Sequence, residues 1–539
     1  MSRRKAWLCL WILLALGAPD RALYAAAGKG GAIATQHPLA TEAAARVLSE
    51  GGNAVDAAVA AALTLGVVEP YNSGLGGGGL ALVWPAKARR AQALDFRETA
   101  PLAARADMYQ NPELDLEASR LGPLAIAVPG QIAGLEFLHR RWGRLPWASL
   151  FAEAIRHAEN GFGPEPALRE RVREKADCLA RDYHSSRVYR ELLKPKGTGI
   201  LVQKELAETL KKLRDRGAAE FYQGQLGRAL VENLRGKGAI LDLADLGAYR
   251  AVEREALAVD FPFGKLWGMP PPSSGGVGVL RGMILLEKFF KKEKSPSPET
   301  WTLALLGTME TIFRERNAGM GDPDFVKDMP VKAWLKKDGG DTSHLSVMDG
   351  EGNAVAMTLT INLSFGSCVT AGLTGILMND EMDDFAALPG VPNAFGLVQS
   401  EKNAVAPGKR PLSSMSPTLV TKKDRALLAL GSPGGPRIIT SVLQTLMRRY
   451  FLQESLKASV AGERLHYQVE PPYVSGESDR FFGWIVEKFK LGTRLQKPWG
   501  NVQAVAYDPK AKRFEAVSDP RGQGKALVLD FNLEKGDPR

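Results

Sequence analysis

The chain has 539 residues, of which 45% are hydrophobic and 24% are charged, so it has ample apolar material for a large core. This composition excludes a disordered or fibrous chain, and three cysteines are too few for a disulfide scaffold. The net charge of +10, from 70 basic and 60 acidic residues, is a mild bias on a chain of this length, and no nucleic-acid partner is expected from it.

The N-terminus has the pattern of a secretory signal peptide. Arg3, Arg4 and Lys5 precede an apolar run over 6–18 that is too short to span a bilayer comfortably, and the alanines at 25–27 offer a cleavage site. An uncleaved N-terminal anchor is the alternative interpretation. If the segment is a cleaved signal, the protein is exported to an oxidising periplasmic or extracellular compartment.

Two helices are predicted after a short strand-like run over 31–36. The first covers 39–50 and ends at a Gly-Gly pair, and Asn53 is a good N-cap for the second, over 54–65. The second helix is almost entirely Ala and Val, with Asp56 as its only charge. Small side chains on every side favour close packing inside a layered core.

A glycine-rich run, SGLGGGGLALVW, follows the second helix. It lacks the Lys-Ser/Thr pair of a phosphate-binding Walker loop and does not match the dinucleotide pattern G-x-G-x-x-G followed by a helix. We therefore interpret it as a tight buried turn that leads into an apolar strand.

The rest of the chain is helix-rich in the middle and strand-rich towards the C-terminus. The segment 343–362 has two alternating apolar runs joined by an Asp-Gly-type turn, which predicts a β-hairpin. Together the patterns predict an α/β protein whose sheets are covered by helices. Further helices are predicted over 133–141, 150–159, 204–214, 277–289, 438–450 and 479–488, and further strands over 375–380, 418–422, 426–432 and 501–508.

The sequence offers no obvious metal or cofactor site. None of its six histidines has HxxxH or HExxH spacing, and the cysteines have no CxxC spacing, so no metal ligand set and no cofactor are expected. There is no G-x-S-x-G nucleophile elbow, although spacing alone does not rule out a Ser-His-Asp triad. Cys178 and Cys368 remain after signal removal and could form one disulfide or none.

The segment GGDTSHLS over 339–346 suggests a different nucleophile. A threonine hydroxyl needs a base to take its proton, and cleavage before Thr342 would free an α-amine with a pKa near neutrality that could serve as this base. On these residues alone, an ordinary strand start is the simpler interpretation.

Ten short motifs in a fixed order carry a more specific signal. Over almost the whole mature chain, the sequence resembles the gamma-glutamyltranspeptidase family of the N-terminal-nucleophile hydrolase superfamily. The resemblance implies an αββα four-layer sandwich. The motifs are GGNAVDAA (51–58), EPYNSGLGGGG (69–79), DFRETAP (95–101), PPPSSGG (270–276), GDPDF (321–325), DTSHLSV (341–347), MDDF (382–385), KRPLSSMSPT (409–418), GSPGG (431–435) and SDPR (518–521).

The resemblance also implies that the chain is a precursor that cuts itself between Asp341 and Thr342. The expected segments are then a signal peptide over 1–27, a large subunit over 28–341 and a small subunit over 342–539. The two subunits would form a heterodimer that is one intertwined catalytic domain.

The matching motifs imply a role for each candidate site residue. Thr342 is the expected nucleophile, and Thr360 would orient it. Substrate groups would contact the remaining residues: Arg97, Ser413 and Ser414 bind the α-carboxylate, Asn362, Glu381 and Asp384 surround the α-ammonium, and Gly434 and Gly435 donate backbone N–H groups to the oxyanion.

The function implied is that of a gamma-glutamyltranspeptidase or glutathione hydrolase. Its substrates would be glutathione and other γ-glutamyl compounds, and water, an amino acid or a peptide would accept the γ-glutamyl group. A glutaryl-type (cephalosporin) acylase of the same fold is the first alternative, although its substrate lacks the α-ammonium that Glu381 and Asp384 would bind. An uncleaved, inactive binding homologue is the second.

Two loops bear on these alternatives. Only 16 residues, 326–341, separate GDPDF from Thr342, whereas the family usually has a considerably longer segment there. The short segment leaves open the rearrangement that follows cleavage. The loop over 388–403, with Phe395 at its tip, resembles a lid that covers the site in bacterial members.

Overall fold

Two seven-stranded sheets form the centre of the computed structural model. The first has the order β17-β2-β8-β9-β3-β4-β5 and the second the order β1-β16-β15-β11-β10-β7-β6, and every pairing in both sheets is antiparallel. A small third sheet has the order β12-β13-β14. The residues described are 25–28, 30–111, 113–115, 117–194, 199–329, 331, 343–387 and 390–530.

The strands have the following bounds: β1 Ala25–Gly28, β2 Gly31–Thr35, β3 Gly78–Trp84, β4 Gln92–Phe96, β5 Val252–Glu255, β6 Leu257–Phe261, β7 Gly264–Gly268, β8 Ser343–Met348, β9 Ala354–Thr360, β10 Thr418–Lys422, β11 Arg425–Gly431, β12 Leu465–His466, β13 Tyr473–Gly476, β14 Gly492–Leu495, β15 Gln503–Asp508, β16 Arg513–Ser518 and β17 Lys525–Leu529.

The helices have the following bounds: α1 Pro38–Ser49, α2 Ala54–Val68, α3 Gln131–Trp142, α4 Ala152–Asn160, α5 Pro166–Glu174, α6 Ala176–Ala180, α7 Tyr183–Tyr189, α8 Lys204–Arg216, α9 Ala219–Tyr222, α10 Gln225–Gly236, α11 Leu243–Ala248, α12 Ser274–Lys292, α13 Pro298–Gly319, α14 Arg437–Tyr450, α15 Leu456–Ala461 and α16 Phe482–Phe489.

The sheets and helices form four layers, with three apolar cores between them. Alternate residues of a strand face opposite sides of its sheet, so Ile33 packs against the layer containing α1 and α2 while Ala32 and Ala34 face the other sheet. In the same way, Leu419 faces the space between the sheets, and Val420 packs against the layer containing α12, α13 and α14. The expected αββα sandwich is therefore confirmed.

Helix α2 is the most deeply buried helix of the first layer, as its composition predicts. Asn53 caps it by accepting hydrogen bonds from the N–H groups of Val55 and Asp56, and the Asp56 carboxylate accepts one from Asn53 in return. All but one of its 15 residues are buried. Small side chains on all sides allow it to pack against neighbouring elements at every point of its circumference.

The glycine run forms the predicted tight turn into strand β3. A Cβ atom on Gly76 would lie 2.1 Å from the carbonyl oxygen of Leu377, and one on Gly77 would lie 1.9 Å from that of Thr360. The backbone there passes so close to its neighbours that only glycine fits.

The strand expected over 375–380 is wrong. Its residues form only isolated bridges, Thr370 with Leu377 and Gly76 with Met378. The segment is apolar and buried, but it bonds to two different partners in succession, so no ladder extends. Apolar runs of this length are thus not sufficient to predict a strand.

Cys178 and Cys368 form a disulfide with a Cα–Cα distance of 5.9 Å, which settles the alternative left open by the sequence. Cys178 belongs to α6, and Cys368 lies in the chain after β9, so the bond joins segments 190 residues apart. Within the described part of the chain, no helix is long and apolar enough to cross a membrane.

Candidate active site

Three separate stretches of the chain bring the predicted substrate-binding residues together. Arg97 directly follows strand β4, while Glu381 and Asp384 begin and end a single turn of 3-10 helix. Ser413 and Ser414 lie shortly before strand β10. All five residues are buried.

The guanidinium of Arg97 is the centre of this cluster. It donates hydrogen bonds to the carboxylates of Glu381 and Asp384, and its Nη1 lies 3.5 Å from Oε2 of Glu98. Its Nε is 3.3 Å from the carbonyl oxygen of Pro411, which ties the cluster to the stretch that carries the two serines. Three carboxyl groups therefore share one buried cation.

Burial changes the protonation of this cluster. It raises the pKa of Glu98 to about 7 and that of Glu381 well above its usual value, although the Arg97 cation acts in the opposite direction. It also raises the pKa of Asp384. Burial alone would lower the pKa of Arg97, but the surrounding carboxylates outweigh it and the pKa is raised. The guanidinium thus stays charged, while burial favours the protonated form of each carboxyl group.

Thr360 and Asn362 lie at the end of strand β9. Thr360 is its last residue and pairs with Gly78, and its Oγ1 accepts a hydrogen bond of 2.8 Å from the N–H of Asn362. The side-chain amide of Asn362 donates to the carbonyl oxygen of Asp380 at 3.0 Å. Its Oδ1 is buried and has no hydrogen-bond partner among the residues that the structure describes.

The two serines are held by the motif that carries the sequence PPPSSGG. The N–H of Ser413 donates to the carbonyl oxygen of Pro272 at 2.8 Å, and the N–H of Ser274 donates back to the carbonyl oxygen of Ser413 at 2.8 Å. The hydroxyl of Ser414 is buried and lacks a partner within the described ranges. A buried hydroxyl without a partner is an available donor or acceptor for a ligand.

Gly434 and Gly435 lie between strand β11 and helix α14. Their φ values are +128° and +59°, a region that side chains other than glycine rarely adopt. Their carbonyl groups accept the N–H groups of Arg437 and Ile438 at 3.1 and 2.9 Å, which begins the helix. The sharp turn explains why two consecutive glycines are needed here.

Asp341 and Thr342, the expected cleavage site and nucleophile, lie outside the described residues. The next residue, Ser343, begins strand β8, and its hydroxyl donates to Oε2 of Glu69 at 3.3 Å. Glu69 follows the last turn of α2, where the helix dipole disfavours a negative charge. Burial raises the pKa of Glu69 to about 7, although hydrogen bonds from Asn72, Tyr71 and Ser343 oppose the shift.

Sequence reasoning assigned no role to Glu69 or Glu98. Both residues belong to motifs on which the resemblance rests, yet a motif does not say which of its polar residues will be buried. The position of Glu98 could have indicated its burial, because it follows directly after a buried strand and the candidate substrate-binding residue Arg97. For Glu69, the signal was an acidic residue at the C-terminal end of an apolar helix.

Comparisons with known proteins identify the same family. The sequence model described as "Gamma-glutamyltranspeptidase" matches residues 40–339 and 331–529. A relative named "Glutathione hydrolase proenzyme" from Pseudomonas aeruginosa is 36% identical, and the alignment covers 96% of this chain and 98% of the relative. A relative of the same name from Escherichia coli is 33% identical over 94% of this chain and 93% of its own length.

Solved structures agree with the fold. A cephalosporin acylase from Bacillus halodurans superposes with a TM-score of 0.79, covering 97% of this chain and all of that chain, at 23% identity. A gamma-glutamyltranspeptidase from Helicobacter pylori has a TM-score of 0.53 and is 32% identical over 56% of this chain and 87% of its own. By sequence and by fold, this chain belongs to the gamma-glutamyltranspeptidase family of enzymes.

Proposed function

We propose that this chain is a glutathione hydrolase and gamma-glutamyltransferase that activates itself by cutting the bond between Asp341 and Thr342. The Thr342 hydroxyl attacks the Asp341 carbonyl carbon, the peptide C–N bond breaks, and an ester forms. Water hydrolyses the ester and leaves a carboxylate on Asp341 and a free α-amine on Thr342. That amine then serves as the base for its own hydroxyl.

The buried cluster around Arg97 is the observation that carries this proposal. A γ-glutamyl group has an α-carboxylate and an α-ammonium on the same carbon, so its site needs a cation and carboxylates side by side. Arg97, Glu381 and Asp384 provide this combination within one buried space. An enzyme for glutaryl side chains would have no use for the carboxylates, because its substrate carries no ammonium.

Binding then amounts to an exchange of ion pairs. The substrate carboxylate takes a place on the Arg97 guanidinium, and the Glu381 and Asp384 carboxylates turn to the substrate ammonium. Arginine suits this exchange because its planar fork can hold a carboxylate by two hydrogen bonds. The exchange gives every charged group in the site a partner of opposite charge, so that no buried charge is left alone.

Two buried polar atoms support the proposed pose. The hydroxyl of Ser414 suits a hydrogen bond to the substrate carboxylate, beside Ser413, and Oδ1 of Asn362 suits one from the ammonium. Neither atom has a hydrogen-bond partner among the described residues. A bound γ-glutamyl group would supply a partner to each of them.

Turnover uses the same nucleophile a second time. Thr342 Oγ attacks the γ-carbonyl carbon, Gly434 and Gly435 stabilise the oxyanion through their N–H groups, and Thr360 orients the nucleophile. The amine of cysteinylglycine leaves with the proton. Water, or the amine of an amino acid or peptide, then attacks the γ-glutamyl ester and releases Thr342.

We further propose export and a two-chain mature form: a signal peptide over 1–27, a large subunit over 28–341 and a small subunit over 342–539. The disulfide supports an oxidising compartment, because such bonds are rare in the cytosol. Strand β1 begins at Ala25, so cleavage after Ala27 would remove most of that edge strand.

A denaturing gel under reducing conditions tests self-cleavage. The purified protein should run as two chains, and a Thr342→Ala variant as one. A single full-length chain for both proteins would refute the mechanism and favour an uncleaved binding homologue.

A pair of chromogenic substrates tests the recognition. The protein should hydrolyse a γ-glutamyl anilide and leave a glutaryl anilide, which differs only in lacking the α-ammonium. Preference for the glutaryl compound would refute the assignment and identify an acylase.

A further inference from the structure

Three turns at one end of the two large sheets carry a high concentration of positive charge. They span 85–91, between β3 and β4; 422–425, at the turn from β10 to β11; and 508–513, at the turn from β15 to β16. Together they contain nine basic residues and only two acidic ones, Asp424 and Asp508. We call these three turns the basic pole.

The strand pairing places the three turns side by side. Strands β10 and β11 form a hairpin, as do β15 and β16, and β11 pairs with β15 in the antiparallel sense. Their two turns therefore lie at the same end of one sheet, where the Arg425 guanidinium is 3.7 Å from the ring centre of Tyr507. The turn over 85–91 belongs to the other sheet, and an ion pair of 3.3 Å between Arg89 and Asp424 joins it to the pole.

This pole accounts for the net charge of the proposed mature protein. Without residues 1–27 the chain has a net charge of +7, and the three turns alone carry +7. The charges of all other residues in 28–539 are therefore balanced. Like charges held together repel one another and oppose folding, so their collection at one end of a balanced chain favours a role in binding.

Five lysines of the pole are available to a partner. All five are exposed, and none forms an ion pair with a residue that the structure describes. Lys422 donates a hydrogen bond of 3.3 Å to the carbonyl oxygen of Pro262, which leaves its charge without a counterion. The five are Lys87, Lys422, Lys423, Lys510 and Lys512.

Acidic groups in and beside the pole are already engaged. Asp424 pairs with Arg89, and Glu255 of the neighbouring strand β5 pairs with Arg90 at 2.5 Å. The Asp508 carboxylate accepts the N–H groups of residues 510 and 511 at 2.8 and 3.1 Å within its own turn. These contacts use the acidic groups locally, so the lysine charges remain for an external partner.

The pole has no apolar anchor within the part of the chain that the structure describes. The large apolar side chains that are exposed all lie outside the three turns. A lysine ammonium is a compact, strongly hydrated charge, which suits attraction to many phosphates better than a fitted contact with one. These features fit a reversible, electrostatic contact with a broad anionic surface.

We propose that the basic pole docks the protein on a membrane surface rich in anionic phospholipids. Such a surface presents many phosphates in one layer, which matches charges spread over three turns of two sheets better than a single acidic chain does. Each lysine near it increases binding by a factor of about five. The proposed export would bring the protein beside a membrane. The inference concerns where the protein is held and does not depend on its proposed catalytic activity.

The candidate active site lies at the opposite ends of the same strands. Strand β4 runs from the turn over 85–91 to Arg97, and β11 runs from the turn over 422–425 towards Gly434. Strand β11 has seven residues, and at about 3.3 Å per residue its ends are about 20 Å apart. A protein held by the pole therefore keeps this site directed away from the membrane.

Co-sedimentation with lipid vesicles tests the proposal. The proposed mature protein is used, because the apolar run over 6–18 would itself bind lipid. It should bind vesicles of equal parts phosphatidylglycerol and phosphatidylcholine at least about 30-fold more tightly than vesicles of phosphatidylcholine alone. NaCl at about 0.5 M should remove this difference, because it shortens the Debye length to about 4 Å.

A pair of double variants locates the contact. Lys87→Gln with Lys510→Gln removes one available lysine from each sheet and should weaken binding to the phosphatidylglycerol vesicles about 25-fold. Lys204→Gln with Lys212→Gln makes the same change in net charge at two exposed residues of α8, and this control should bind like the parent. Both changes affect only exposed side chains, so both proteins should melt within about 2 °C of the parent.

The outcomes separate this inference from its alternatives. Equal affinity for the two kinds of vesicle, or the same loss in both double variants, would overturn it. Binding to heparin without binding to the vesicles would also overturn it and would indicate an acidic polymer as the partner. Hydrolysis of a γ-glutamyl anilide should be as fast for vesicle-bound as for unbound protein, and a loss on binding would refute the orientation. Vesicle binding is measured without substrate, so an inactive protein would refute the proposed function and leave this inference standing.

Discussion

The disulfide between Cys178 and Cys368 provides a prediction with a calculable size. If the chain is cut before Thr342, this bond joins the two resulting chains covalently. In an uncut chain it closes a loop across 190 residues. Chain entropy for a loop of this length gives about 5 kcal/mol of stabilisation, at the upper end of the range measured for disulfides.

The uncut Thr342→Ala protein is the right background for this measurement, because unfolding is then a reaction of one molecule. We expect Cys178→Ser in this background to lower the free energy of unfolding in urea by about 3–5 kcal/mol. A loss below about 1 kcal/mol would refute the loop-closure reasoning.

The cut protein should behave differently. On a non-reducing gel the parent should run as one band that separates into two on reduction, and Cys178→Ser should give two bands in both cases. The unfolding midpoint of the cut Cys178→Ser protein should also rise with protein concentration, because its unfolding separates two chains. The midpoint of the parent, whose chains stay linked, should not change. Two bands for the parent without reductant would show that the two chains are not linked.

Three further predictions concern single residues. Because the pKa of Glu69 is raised to about 7, the free energy of unfolding should fall by about 3 kcal/mol as pH rises from about 4.5 to about 7. Glu69→Gln should flatten this part of the pH dependence of unfolding, and an unchanged slope would contradict the prediction. Ser414→Ala should raise the KM for a γ-glutamyl anilide about tenfold. The melting temperature should stay within about 2 °C of the parent's, because the hydroxyl has no partner among the described residues. Loss of stability without a change in KM would indicate a structural role. Gly434→Ala should lower kcat about 100-fold or more, because alanine strains the backbone at a φ of +128° and would displace the N–H proposed for the oxyanion. The control Gly483→Ala should keep full activity, because no atom lies within 4 Å of the added methyl group.

Local patterns predicted the elements whose signals lie within a few residues. Asn53 marks the start of α2, and the Asp-Gly-type turn marks the hairpin of β8 and β9. Strands β5 and β6 were missed because the three successive charged residues at 253–255 interrupt the apolar pattern of 252–261, as in an exposed segment. Both strands lie at sheet edges, where one side chain in two faces solvent.

The site depends on contacts between residues far apart in the chain. Arg97 and Glu381 are separated by 284 residues, and only the closed fold brings their side chains together. The family motifs identified both residues but assigned them to two different groups of the substrate, Arg97 to the α-carboxylate and Glu381 to the α-ammonium. Their direct contact follows from burial, since a guanidinium and carboxylates that are buried side by side pair with one another.

The strand order of the first sheet has a consequence for how the enzyme is made. The proposed cut lies after β2, β3, β4 and β5 in the chain and before β8, β9 and β17. The sheet order β17-β2-β8-β9-β3-β4-β5 interleaves strands of these two groups. Neither group can build this sheet alone, so two separate genes would each encode a chain with unpaired edges and a strong tendency to aggregate. Synthesis as one chain keeps both groups at high effective concentration until the sheet is complete. The bond before Thr342 would thus serve assembly first, and its loss would mark the moment at which the protein becomes an enzyme.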